Sequence, residues 1–208
     1  GTGATGKELV KELISSDKFS KITSLVRKID TSLENEKLNQ VVVDFEELDK
    51  YKDLFKDHQV GFNCLGTTIR VAKSAAAFRH IEYDYSESFT KLSKEAGIEN
   101  MHLLTSQGAN AKSWLLYTKT KGEIEERTKK EGFATLSIWR PGFLDRGRTD
   151  RTLENIMMMF LSRLSLPVST LGKAMKNSAV AQLDEPIPTT PKVNIYYNKD
   201  VYNFAKLD

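Results

Sequence analysis

A chain of 208 residues, 39% hydrophobic and 28% charged, suits one folded domain that buries roughly 70% of its unfolded surface. Its net charge of +3 comes from interleaved lysines and glutamates without a basic run, which argues against a nucleic-acid partner, and no apolar stretch nears the ~20 residues that span a bilayer. The lone Cys64 permits no internal disulfide and suits a reducing, cytoplasmic setting, and three scattered histidines make no metal-ligand spacing, so no metal is expected.

The chain opens on Gly1-Thr2-Gly3-Ala4-Thr5-Gly6 and runs directly into Leu9, Val10, Leu13 and Ile14 at helical spacing. A glycine turn opening a helix grips a pyrophosphate, because glycine lets the backbone approach and the helix N-terminus offers free N–H groups. Gly3, Thr5 and Gly6 are the candidate contacts. Such a turn is fed by a central strand, and the expectation is that a strand precedes Gly1. Leu9 stands where a third glycine is usual and would widen the contact between helix and sheet.

Downstream, strands are expected at residues 22–26, 41–45, 60–65, 101–106, 135–139 and 193–197, with a short helical turn at 51–55. Longer helices are expected over 75–96, ended by Gly97, over 117–130, over 153–164 and from 169 to about 180, with a closing helix at the end. A similar omission of chain is expected in the short piece between Arg163 and Pro167. Strands alternating with helices imply parallel crossovers, hence a doubly wound, mostly parallel Rossmann sheet with helices on both faces. The whole chain forms one NAD(P)-binding domain, with residues 143–192 as a variable substrate or lid region. Within it Met157, Met158, Met159 and Phe160 serve equally as core or pocket lining.

Ligands of such sheets lie outside the carboxyl ends of the strands. The first strand there delivers Arg27 and Lys28 where an NAD-preferring fold puts an acid, and a guanidinium can hold a 2′-phosphate bidentately. NADP(H) is therefore favoured over NAD(H), although Asp30 is near enough to serve NAD and the two cations also suit plain solvated positions. Asp44 and Phe45 end the next strand, where an adenine amino group can donate to the acid and the ring edge can meet the aromatic. Leu65, Gly66 and Thr67 end the third, where a small residue lets the dinucleotide pass.

Ser106 closes the fourth strand, and Tyr117 and Lys121 share one helix face four residues apart. A phenol titrates near about 10 and is a poor base at neutrality; a nearby ammonium stabilises its phenolate. Tyr117 can then pass a proton to a carbonyl or take one from an alcohol, while Ser106 hydrogen-bonds the same oxygen and Lys121 holds the nicotinamide ribose. Tyr202 and Lys206 repeat the spacing with no strand-end serine before them.

GTGATG opening a helix, Arg27-Lys28, VVVDF, CLGTT, LLTSQGA, YxxxK followed by Gly122-Glu123, and IWRPG together resemble an atypical short-chain dehydrogenase/reductase. More narrowly they resemble the HIV Tat-interacting protein 2 family of oxidoreductases, and the likeness extends to Ala174-Met175 and to residues 196–204. The resemblance implies NADPH at Gly3, Gly6 and Arg27, the trio Ser106, Tyr117 and Lys121, and Arg140, Pro141 and Gly142 near the nicotinamide. It also implies roles in transcription, nuclear import or membrane traffic, with the nucleus as a second location. Two functions follow: an NADP-dependent oxidoreductase acting on a small carbonyl or alcohol, or a cofactor-binding regulator with protein partners and little turnover. An NmrA-like sensor of the NADP/NADPH ratio is a third.

Overall fold

The computed structural model describes residues 2–145 and 165–207. Helix α1, Ala4–Ser15, follows the glycine turn and buries Leu9, Val10 and Leu13, the stripe that helical spacing marks. Strand β1, Ile22–Val26, alternates buried and half-buried positions and pairs in parallel with β2, Leu38–Val42, from Ile22 opposite Leu38 to Val26 opposite Val42. The second strand thus lies earlier than the apolar run predicts. Asp44 ends it: its side chain accepts from the Glu46 N–H and winds Phe45–Phe55 into 3₁₀ turns.

Strands β3 (Val60–Asn63), β4 (Asn100–Leu104), β5 (Thr135–Trp139) and, last in the chain, Lys192–Tyr196 form a four-stranded parallel sheet in that order. All of β5 is buried, as a strand covered on both faces must be. The crossovers run through α2 (Ile69–Ala72), α3 (Ala75–Arg79) and α4 (Tyr85–Glu95), then α5 (Leu116–Lys129), then α6 (Val168–Leu183); α7 (Asn198–Phe204) closes the chain. This is the expected Rossmann-like α/β fold. Leu144–Asp145 and Leu166–Pro167 add a small parallel pair, β6 and β7, absent from the sequence reading; the strand Lys192–Tyr196 is therefore β8. The helix expected over 153–164, with Met157 to Phe160, lies outside the described residues.

Among the described residues no ladder joins β1 to β3, so the sheet is in two pieces. The pieces nonetheless share their packing. Ile22, Phe62 and Cys64 line one cluster with Leu9 and Trp139, and Leu25 and Leu65 line another with Val43, Phe55 and Leu92.

The single helix expected over 75–96 is three segments. The Ser74 hydroxyl caps α3 at the Ala77 N–H, a π turn occupies His80–Asp84, and α4 follows, ending before Gly97 at φ +84°. The widening expected at Leu9 is absorbed elsewhere. Leu9 is buried, and the facing helix α6 carries Gly172, where a Cβ would come within 2.9 Å of the Leu9 backbone nitrogen. No helix among the described residues is long and apolar enough to cross a membrane.

Candidate cofactor and active site

The first turn of α1 stands at the carboxyl edge of the sheet. Its opening backbone bond runs from the Lys7 N–H to the Gly3 carbonyl at 2.8 Å, and no side chain caps the turn and no acid lies in it. The N–H groups ahead of that bond are left for a ligand, and a negative group is favoured there by the helix dipole. Thr5 and Gly6 are buried, whereas a Cβ on Gly3 would meet no atom within 4 Å. The turn has open space beside Gly3.

Arg27 and Lys28 are exposed just past β1, and among the described residues neither pairs with a carboxylate. Asp30 is already engaged. Lys7 Nζ lies 2.8 Å from its Oδ2 and the Ser32 hydroxyl 2.6 Å from its Oδ1, contacts that pull its carboxyl down to about 2. Asp44 is exposed and spends its side chain on the 3₁₀ cap; Phe45 is buried against Tyr85, ring centroids 5.7 Å apart.

Ser106 follows β4, and its Oγ is buried without a hydrogen-bond partner among the described residues. The loop it begins packs directly on α5. A Cβ on Gly122 would lie 2.1 Å from the Ala111 nitrogen, and the Asn110 N–H donates to the Thr118 carbonyl at 2.9 Å. That glycine, next to Lys121, therefore sets how close the serine loop comes to the helix. Tyr117, in the first turn of α5, is 38% exposed, its ring centroid 5.9 Å from that of Phe78. Lys121, one turn on, is buried. Its Nζ sits 2.5 Å from Glu82 Oε2, and the other oxygen of Glu82 accepts from the Thr67 N–H.

Glu82 escaped the sequence reading. It was visible as an acid on the stripe of Phe78, Tyr85 and Phe89, where apolar residues recur.

Gly66 abuts the same pair: a Cβ there would fall 3.4 Å from Glu82 Oε1 and 3.6 Å from Lys121 Nζ. Past β5, the Pro141 carbonyl accepts from the Gln107 N–H and the Gly142 N–H donates to Asn198 Oδ1, which fixes this turn between the serine loop and α7. Arg140 is committed elsewhere. Its guanidinium grips the buried Glu125 with two N–H groups and gives a third to the Tyr197 hydroxyl, while Thr105 also donates to Glu125.

A family profile described as NAD(P)H-binding matches residues 1–157. The chain belongs to the NAD(P)H-binding family. Protein HTATIP2 of Rattus norvegicus is 36% identical over 216 residues, covering 99% of this chain and 86% of that protein, as the motif resemblance implied. Protein FMP52-2, mitochondrial, of Scheffersomyces stipitis is 32% identical over 222 residues, covering 99% and 95%. The fold is also that of MoeE5 in complex with UDP-glucose and NAD, with a TM-score of 0.67 at 15% identity over 93% of this chain and 73% of that one.

The relatives correct one expectation. Cytoplasm, with the nucleus as a second location, was read from a single cysteine and from the resemblance; the FMP52 proteins of Scheffersomyces stipitis, Candida albicans and Emericella nidulans are named as mitochondrial. One reduced cysteine is compatible with several compartments, so cysteine usage did not discriminate among them.

Proposed function

We propose that the protein binds NADP(H) and moves a hydride to or from a small carbonyl or alcohol substrate, with Tyr117 as acid and base. The observation that carries this reading is the buried, unpartnered hydroxyl of Ser106, on a loop packed against the helix of Tyr117 and Lys121. A buried hydroxyl without a partner costs about 1–3 kcal/mol, and a substrate oxygen supplies what it lacks.

The residues fit the cofactor. Gly3, Thr5 and Gly6 bring free N–H groups to a pyrophosphate; Leu65, Gly66 and Thr67 line its path; Asp44 and Phe45 stand at the adenine end; Pro141 and Gly142 flank the nicotinamide. NADP(H), when bound, supplies or accepts the hydride. Preference for NADP over NAD rests on Arg27 and Lys28, exposed and unpaired among the described residues, and on Asp30, whose oxygens are already taken by Lys7 and Ser32. Lys121 holds the ribose. Tyr117 gives its proton to the carbonyl oxygen, or takes it from the alcohol, while Ser106 hydrogen-bonds that oxygen. Tyr117→Phe is expected to keep NADPH binding and lose turnover by about 10²–10⁴. Undiminished turnover of a small reactive carbonyl, such as an aromatic aldehyde reduced by the unsubstituted protein, would overturn the role.

A second reading, a cofactor-steadied regulator with protein partners, is favoured by exposed apolar side chains. Val71, Trp114 and Phe143, 70%, 90% and 69% exposed, follow the carboxyl ends of β3, β4 and β5. A cellular role that survives Tyr117→Phe intact would favour this reading over the enzyme.

A further inference from the structure

The buried ion pair of Lys121 and Glu82 joins two parts of the site that the trio leaves unconnected. Glu82 is 1% exposed and has both carboxylate oxygens in use, one on the Lys121 ammonium and one on the Thr67 N–H. We infer that Glu82 is a positioning residue that locks Lys121 of α5 to the Gly66-Thr67 loop after β3, and through them sets the place of the nicotinamide half of the dinucleotide. This rests on the cofactor reading above.

Three observations carry it. The first is where the carboxylate lies. Gly66 has no Cβ, and one would fall in contact with both members of the pair, so they lie directly against the backbone that lines the cofactor's path. The second is how Glu82 gets there. It sits inside the π turn His80–Asp84, between two stretches of regular α-helix. Such a turn gives up regular helical bonding and recurs at functional sites, and here it falls at the acid that reaches Lys121. The third is the chemistry of the pair. A buried ion pair is a poor source of stability, because desolvation offsets the Coulomb gain and apolar side chains of similar volume often do as well. Its asset is direction: an ammonium has three donors, and a carboxylate that takes one orients the other two. Neighbouring charges are otherwise engaged. Arg79 pairs with Glu123 and Asp84, and His80 bridges Glu46 and Asp84, so Glu82 is the acid that meets Lys121 among the described residues.

Titration calorimetry of the full chain with NADPH and with adenosine 2′,5′-bisphosphate, which carries the adenine end alone, tests the inference. Glu82→Gln is expected to weaken NADPH binding about tenfold and to leave the bisphosphate unchanged. Glu82→Asp, which keeps the charge, is expected to recover part of the loss. If Glu82 acts through Lys121, the Glu82→Gln loss shrinks at least about threefold in a Lys121→Met background, as coupled residues require. If Glu82→Gln leaves Lys121 buried without a partner and misfolds, Glu82→Asp carries the test, with a loss for NADPH and none for the bisphosphate expected. Unchanged NADPH affinity, equal losses for both ligands, or full additivity with Lys121→Met would each overturn the role of Glu82. If Glu82→Gln behaves as expected while Tyr117→Phe keeps full turnover, the hydride-transfer reading fails and the positioning role stands. Binding of neither ligand by the unsubstituted protein would overturn the cofactor reading and this inference with it.

Discussion

Lys7, on the first helix, and Asp30, past the first strand, form an ion pair of 2.8 Å through Asp30 Oδ2, while Oδ1 accepts from Ser32, so both oxygens an NAD-type ribose would use already have partners. The same loop leaves Arg27 unpaired among the described residues. Arg27→Ala is therefore expected to weaken NADPH binding by about 10–100-fold, the loss of a charge-assisted hydrogen bond or two, and NADH binding far less. Equal losses in the two titrations would remove the 2′-phosphate role.

The same pair sets a pH dependence. The folded Asp30 carboxyl lies at about 2 against an ordinary 3.8, so its contribution is present above the ordinary value and is lost as pH falls towards 2. Thermal midpoints of the protein and of Asp30→Asn are expected to differ at pH 5 and to converge between about pH 4 and 2. A difference that persists at the acid end would rule out the carboxylate as its source.

Ser106 separates stability from function. Its Oγ is buried without a partner among the described residues, so Ser106→Ala removes a group that stabilises nothing in the cofactor-free fold. The thermal midpoint is expected to hold or rise slightly, while turnover falls by about 10²–10³ as an oxyanion donor is lost. A marked drop in midpoint would assign the hydroxyl to the core.

Gly172 and Leu9 set the approach of two helices. A Cβ at Gly172 meets the backbone at 2.9 Å and cannot be relieved by a rotamer change, so Gly172→Ala is expected to cost about 1–3 kcal/mol in urea unfolding. A neutral result would mean that α1 and α6 can slide apart freely.

What the sequence determined by itself is local or periodic. The apolar run at 135–139 is a buried strand, the stripe at Leu9 and Leu13 is the core face of α1, and Gly97 ends a helix, because each signal lies within one element and each element obeys a short repeat. The spacing of Tyr117 and Lys121, one helical turn apart, belongs to the same class. What only the tertiary structure decided depends on partners remote in the chain. Arg140, placed by its motif near the nicotinamide, is held by Glu125 and Tyr197; Leu9 is accommodated by Gly172; Lys121 is met by Glu82 from another helix. Charges and close backbone contacts carry no period, so their pairing exists only once the crossovers have brought the strands' carboxyl ends together.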